Sequence, residues 1–455
     1  MSFSSLIFIY FFLPLVLLGY YLIPHKGRNL FLLAANLVFY GWGEPSFVPV
    51  IVGTALINWA AGLGLARFAE QKRRRTLIFA GAMALDLGLL FVFKYADFCL
   101  KTMGIDKQLG LALPLGISFY TFQVVSYLID VWRQTVPPEK SLTRFAAYLT
   151  FFPQLIAGPI VRYDTLRLQL AARQESTRGA VLGIQYIAVG LAKKVLLANQ
   201  IALLFETVRG NLAASGSLGA WAGALAFTFQ IYFDFSGYSD MARGLGLLFG
   251  FDLPENFHYP YCAQSITAFW RRWHITLSSW FRDYVYIPLG GSRRGNVFGN
   301  LFIVWALTGL WHGAAWNFVL WGIYYFVLLS IEKCVGEERL ARVPKPIRHL
   351  YTLLGIVVGW VLFAVEDFGA LGAYLKTMFS GAAMGQGMQV TLLAYLPLLL
   401  VCAVASTPLA AKLWARGKSS AWADGVALVL CLAVLLFCTA AFVADSYNPF
   451  LYFRF

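Results

Sequence analysis

The stretch GNLFIVWALTGLWHGAAWNFVLWGIYYFVLLSIE, Gly299 to Glu332, carries no Asp, Glu, Lys or Arg before its last residue. A helix needs about 20 mostly apolar residues to cross a bilayer, so this run is long enough to break into two spans. Comparable apolar runs lie near 1 to 23, 30 to 43, 47 to 66, 77 to 99, 109 to 131, 145 to 160, 182 to 206, 218 to 235, 350 to 365, 389 to 406 and 425 to 444. Together they predict roughly ten to twelve spans in an all-α polytopic membrane protein. Composition agrees, because the 455 residues are 59% hydrophobic and only 13% charged. A soluble chain carries about 25% charged residues, so a water-soluble enzyme, a disordered chain and a fibrous repeat are all excluded.

The net charge of +14, from 36 Lys and Arg against 22 Asp and Glu, would raise the question of nucleic acid in a soluble protein. Here positive-inside topology accounts for it, and no nucleic-acid partner is expected. Lys26 and Arg28 form one basic cluster and Lys72 to Arg75 another. Two spans separate them, so both fall on the cytoplasmic side and the N-terminus lies outside. The first apolar run has no basic residue before it and no small-residue cleavage site after it, so it is expected to stay as a helix. Residues 161 to 178, with Arg162, Arg167, Arg173 and Arg178, read as a cytoplasmic loop or interfacial helix. The six cysteines lack zinc-ligand spacing and read as small core residues.

Signatures of soluble enzymes are missing. There is no HExxH and no G-x-S-x-G elbow, and Gly417-Lys418-Ser419 fails as a phosphate loop because position 412 is Lys. Polar residues gather instead between Phe229 and Gly322, and polar groups at membrane depth mark functional sites by default. Read as one helix, Ile266 to Arg282 puts Thr267, Arg271, His274, Ser278 and Arg282 within a sector of roughly 80°, opposite Phe269, Trp273, Leu277 and Trp280. Two readings stand for this stripe: the wall of a filled cavity, or an interfacial helix whose arginines meet lipid phosphates.

His312 sits in LTGLWHGAAWNFVLWG among Trp305, Trp311, Trp316 and Trp321. Desolvation there favours the neutral imidazole, the form a general base needs, although a buried histidine also serves as an ordinary hydrogen-bonded packing residue. Gly309 and Gly313 are spaced for close helix packing and would open room beside the ring. Of five histidines, only His274 and His312 lie in strongly apolar or aromatic surroundings in one segment. A helix, a loop and a second helix fit between them, so both rings can face one cavity. Two histidines are too few for a metal site, and none is expected.

With FWRRWHITLSSWFRDYVYIPLGG (Phe269 to Gly291) and GLWHGAAWNFVLWG (Gly309 to Gly322), the chain resembles the membrane-bound O-acyltransferase family, and within it the alginate O-acetyltransferases of bacteria. FFPQLIAGPIVRY (Phe151 to Tyr163), IYFDFSGYSDMARGLGLLFGF (Ile231 to Phe251), PENFHYPY (Pro254 to Tyr261) and NPFLYFRF (Asn448 to Phe455) extend the resemblance over most of the chain.

The resemblance implies one membrane domain over 1 to 455, with N-terminal helices to 133, a core with the active-site segments over 134 to 332 and C-terminal helices from 333. Interfacial or re-entrant helices would surround a central cavity. It implies that His312 is the family's intramembrane catalytic histidine, with His274 beside the path of an acyl donor from the cytoplasm. Arg271, Arg272, Ser278, Arg282, Trp311, Trp316 and Asn317 are the further contacts expected for substrate, donor or oxyanion. The donor would be acetyl-CoA, a substrate rather than a bound cofactor. A basic vestibule for it could draw on Arg162, Lys193, Lys194, Arg271, Arg272, Arg293 and Arg294, which positive-inside topology explains equally well.

Asp234 and Asp240 are expected to pair structurally with Arg243. The implied activity is O-acetylation of an exported polysaccharide, alginate first and cellulose or peptidoglycan as alternatives, at the bacterial inner membrane. Its partners would be membrane lipids, the polysaccharide and periplasmic acetyltransferase proteins. A secondary transporter, with buried charges such as Lys94 beside Asp97, is the rival class.

Overall fold

The computed structural model describes residues 2–417, 422–444 and 451. Gly417-Lys418-Ser419 and NPFLYFRF fall mostly outside these residues. Among them, eight helices are long and apolar enough to cross a membrane: Pro45–Arg67, Lys72–Thr102, Thr177–Gly210, Leu212–Leu248, Trp316–Val335, Lys345–Ala364, Gln386–Ala405 and Ala423–Ala444. Two shorter apolar helices, Phe8–Leu22 and Val297–His312, fall below that length, so eight helices of spanning length are described where roughly ten to twelve spans are expected from the sequence. The chain is an all-α polytopic membrane protein.

Three of the expected runs are not helices of spanning length. Residues 30 to 43 lie in the 16-residue helix Arg28–Gly43, and 109 to 131 shrink to the 16-residue helix Ile117–Trp132. Residues 145 to 160 do not form a span at all: Leu142–Thr150 ends at Phe151 and a four-residue turn of helix, Phe152–Leu155, leads into irregular chain. Irregular backbone survives at membrane depth only where protein satisfies it. Residues 145–161 are buried throughout, and side chains supply their hydrogen bonds. Asn36 Oδ1 accepts the Phe152 N–H at 3.1 Å, Gln154 Nε2 donates to the Tyr148 carbonyl at 2.7 Å, and Tyr148 OH donates to the Val161 carbonyl at 2.8 Å.

The residues cluster into two compact units, 1–187 with 239–254 and 188–238 with 255–455. In the first unit Arg173 is not a loop cation. Its side chain is 6% exposed, donating to Tyr20 OH at 2.7 Å and Asn29 Oδ1 at 2.6 Å. Glu175 joins the same network through Tyr20 OH at 2.5 Å and Arg28 at 2.7 Å. Burial alone would raise the Glu175 carboxyl, but these hydrogen bonds hold it below its usual range. Asp97 accepts the N–H groups of Leu109 and Gly110, whereas Lys94 donates to Ser118 Oγ at 3.0 Å, so the expected Lys94–Asp97 pair is replaced by two separate contacts.

In the second unit, Asp234 pairs with Lys194 at 2.5 Å, both side chains 3% exposed, and not with Arg243. Arg243, in the first unit, lies over the Tyr186 ring at 4.7 Å. The long run Gly299 to Glu332 does break in two, into Val297–His312 and Trp316–Val335. Gly309 and Gly322 set how closely these helices pack: a Cβ at Gly309 would run into the Phe318 carbonyl oxygen, and one at Gly322 into that of Trp305. Gly313 is the extended residue that ends the first helix, where a side chain would strike the Phe318 ring. Gly309→Leu is expected to lower stability by roughly 1–3 kcal/mol in detergent thermal melts, as overpacking does. Gly88→Ala, at a site with open space around it, should leave the melt nearly unchanged.

Candidate active site

The polar stretch begins with the helix Ile266–Trp270, whose first turn is capped twice. Ser265 Oγ accepts the Ala268 N–H at 2.9 Å. The buried carboxylate of Glu332 accepts the N–H groups of Ile266 and Thr267 at 2.5 and 2.8 Å and the Thr267 hydroxyl at 2.6 Å. A carboxylate suits this position because the free N–H groups of a first turn carry partial positive charge.

The continuous helix Ile266 to Arg282 read from the sequence is broken. Helix resumes at Ile275–Phe281, and His274 between the two pieces has left-handed backbone, φ 44°. The cause is a second strand of chain laid along the break. His258 N–H donates to the Arg272 carbonyl and Ile275 N–H to the Asn256 carbonyl, both at 3.0 Å. Asn256 Oδ1 then meets three groups: His274 Nδ1 at 3.1 Å, Thr276 N–H at 3.2 Å and Thr276 Oγ1 at 3.0 Å. A backbone N–H can only donate, so the Asn256 atom facing it is the oxygen. Nδ1 of His274 therefore carries the proton, and Nε2 is the basic nitrogen of the neutral ring.

A cavity of about 360 Å³ opens beside this break, and both His274 and His312 line it. Thr267, Arg271, Ser278 and Arg282 line it as well, as the cavity-wall reading of the stripe expects. Two residues of the opposite face, Trp273 and Leu277, are lining residues too, because the break rotates the two helical pieces against each other. Exposure is graded across the wall. The side chains of Arg271 and Arg282 are 71% and 62% exposed, while His274 and His312 are 1% and 4% exposed.

The remaining expected contacts divide. Trp311 stands between the histidines, its ring 5.9 Å from that of His274 and 5.0 Å from that of His312. Ser278 turns its hydroxyl to the carbonyls of Trp270 and Trp273, closing the break from inside. Arg282 is held by both oxygens of Asp283, at 2.6 and 3.1 Å. Arg272, Trp311, Trp316 and Asn317 are not among the lining residues. Asn317 is fully buried and donates to the Phe363 carbonyl at 3.0 Å, tying two helices together, and Trp316 is half exposed. Lys194 is spent on Asp234, and Arg293 and Arg294 are exposed.

Sequence reasoning missed Asn256 and Glu332, which hold the break and its first turn, and also Trp270. The Trp270 indole lines the cavity. Its buried N–H has no acceptor among the described residues, nor has that of Trp321 or the hydroxyl of Tyr325. Trp270 packs on Trp321 and Tyr325, with ring centroids 5.5 and 4.8 Å apart, and Trp321 packs edge-on to His312 at 5.0 Å. Of these three unspent donors, Trp321 is the one whose ring packs against His312, and Trp270 and Tyr325 pack on Trp321. Only the Trp-Arg-Arg-Trp run hinted at Trp270, and it equally suits a membrane-surface belt.

The model of the membrane-bound O-acyltransferase family matches residues 134–365, which contain both histidines and the whole cavity wall. The chain belongs to this family. Among relatives of this O-acyltransferase, a probable alginate O-acetylase of Pseudomonas putida is 39% identical and one of Azotobacter vinelandii 38% identical, each alignment covering 100% of both chains. A peptidoglycan O-acetyltransferase of Helicobacter pylori is 35% identical over 83% of this chain and 79% of its own.

The Asn256 junction is open to a graded test. Asn256→Ala leaves three buried donors without their acceptor and is expected to cost roughly 2–3 kcal/mol in thermal unfolding, against about 1 kcal/mol for Thr276→Val, which removes one of the three. Equal shifts for the two variants would show that Asn256 is not the hub.

Proposed function

We propose that this O-acyltransferase transfers acetyl groups from acetyl-CoA to hydroxyls of an exported polysaccharide, alginate first, with His312 as general base. The observation that carries the proposal is the single cavity on which a buried histidine, a second fixed histidine and an unspent indole N–H converge. The full-length likeness to alginate O-acetylases supports the acceptor.

Ester formation needs the alcohol proton removed, the tetrahedral oxyanion stabilised and water kept from the thioester. His312 takes the proton as the alcohol oxygen bonds to the thioester carbonyl carbon. Trp270 Nε1–H donates to the developing oxyanion. Collapse of the intermediate breaks the C–S bond, and the departing thiolate receives the proton from His312, which restores the neutral base. The aromatic wall excludes water. His274, fixed as an Nδ1–H tautomer by Asn256, orients the thioester, and the exposed guanidinium groups of Arg271 and Arg282 meet the anionic end of the donor.

The chain works in the bacterial inner membrane, and positive-inside placement of Lys26/Arg28 and Lys72–Arg75, with the short helix Arg28–Gly43 and the span Pro45–Arg67 both crossing between them, supports an N-terminus in the periplasm. Periplasmic acetyltransferase partners receive the acetyl group or present the polymer, since the site lies within a helical membrane protein.

In cells making the native polymer, His312→Ala should abolish polymer acetate while membrane abundance stays normal. Full acetylation by that variant would sink the catalytic assignment. Trp270→Phe keeps the ring and removes only the N–H; a loss of about 100-fold in acetyl transfer with an unshifted melting temperature is expected, the effect of deleting one oxyanion donor. Acetate analysis of purified alginate and peptidoglycan from a deletion strain identifies the acceptor by which polymer loses its esters.

A further inference from the structure

The first unit contains a buried polar layer that acetyl transfer does not use. Asn58, on the helix Val48–Arg67, donates through its amide to Asp86 Oδ1 at 2.9 Å and to the Thr54 carbonyl at 3.0 Å. Asp86 lies on the only buried line of the helix Lys72–Leu90, formed by Ala82, Asp86 and Leu90. The helix Ile117–Trp132 runs antiparallel to it, as the stacked rings of Phe79 and Trp132 at 5.1 Å and the Lys94–Ser118 bond at 3.0 Å fix from either end. That register sets Asp86 beside the turn that holds Gln123.

A second contact gives the same level from the other side. Gly62 packs against the Tyr127 hydroxyl, so one turn earlier Asn58 faces Gln123. Tyr120, one turn before Gln123 on the same face, lies within electrostatic reach of both Asp86 and Tyr40. All five side chains belong to residues no more than 3% exposed.

Their hydrogen bonding does not close. Asp86 Oδ2, Asn58 Oδ1, Gln123 Oε1 and the hydroxyls of Tyr40 and Tyr120 each lack a partner among the described residues. Three of these atoms can only accept, and the two hydroxyls can fill at most two of them. With Asp86 ionised, the set is therefore one donor short and carries one negative charge. Lys94, two turns along from Asp86 and about 12 Å away by helix rise, is too distant to neutralise the carboxylate directly.

We propose that this layer binds one alkali cation, Na⁺ or K⁺, with the Asp86 carboxylate as charged ligand and the oxygens of Asn58, Gln123, Tyr40 and Tyr120 around it. The donors are all hard oxygens, which suit such an ion. One carboxylate balances one positive charge, whereas a divalent ion would leave a charge uncompensated at membrane depth. The cation would tie four helices of the first unit together as a structural ion.

The test is a melting-temperature titration of the purified full chain in detergent, with NaCl or KCl replacing choline chloride at constant ionic strength, beside ²²Na⁺ or ⁸⁶Rb⁺ binding. A saturable rise of several degrees with one cation, and one bound ion per chain, is expected. Asp86→Asn should be flat in all three salts and bind no ion. Gln123→Leu, which leaves the charge in place, should weaken binding about tenfold, and it serves if Asp86→Asn fails to fold. A wild-type melt identical in all three salts, with no bound isotope, would overturn the proposal and leave a protonated Asp86 bridged by water. An Asp86→Asn variant that keeps the full cation response would overturn it as well. Neither readout involves acetyl transfer, so the outcome is independent of the proposed function.

Discussion

The acceptor oxygen of Asn256 is the constraint on which the site depends. An α-helix through Arg271 to His274 would satisfy its own backbone; the observed break gives up that ladder and has to be compensated locally. Compensation comes from the chain at 256–258, which pairs with Arg272 and Ile275, and from a side chain that gathers three donors on one atom. Left-handed backbone at a non-glycine residue costs on the order of 1 kcal/mol, and it persists only where the surroundings over-determine it. His274 is over-determined in this sense: backbone, Nδ1 and ring face are each held, the last by the Phe235 edge at 4.7 Å.

Glu332 shows how a scarce charge is used at depth. A buried carboxylate is expensive in a membrane protein unless several donors meet it, and the first turn of Ile266–Trp270 offers two N–H groups and a hydroxyl. Because Glu332 lies in the last turn of the helix Trp316–Val335, this contact fastens the segment bearing Trp270 to the helices bearing His312 and Trp321. The geometry between the indole and the catalytic candidate is thus set by one carboxylate and by the Gly309–Gly322 approach, both remote from the reacting atoms.

Much of this was legible in the sequence and the rest was not, for identifiable reasons. The class followed from apolar length, since a run such as Gly299 to Glu332 has no soluble solution. His312 and His274 stood out because polar residues are rare in such surroundings, and one cavity does receive both. The break at Arg271–His274 was invisible, because the 3.6-residue pattern runs through it unbroken and its cause lies at Asn256, outside the period. Residues 145–160 read as a span for a similar reason: they are apolar enough, but their backbone is satisfied by Asn36, Gln154 and Tyr148 rather than by a helix. Asp234 was assigned to the nearest basic residue in sequence, whereas its partner Lys194 lies on another helix, a pairing no local rule supplies.

The aromatic surroundings of His312 also bear on how a base can work in a dry site. Taking a proton converts the imidazole to a cation in a medium that resists charge, so something nearby has to stabilise it at the moment of transfer. Trp311, Trp321 and Phe363 stand with ring centroids 5.0, 5.0 and 5.3 Å from the His312 ring, at interplanar angles of 76°, 81° and 82°. At such distances a ring that turns its face to the imidazole edge attracts the cation, and the attraction strengthens as water is removed. On the proposed mechanism, rings that keep water from the thioester would favour the transient imidazolium without fixing a permanent charge beside it. A carboxylate placed there would hold the ring protonated between turnovers, whereas an aromatic cage leaves the resting base neutral and lowers the cost of charging it.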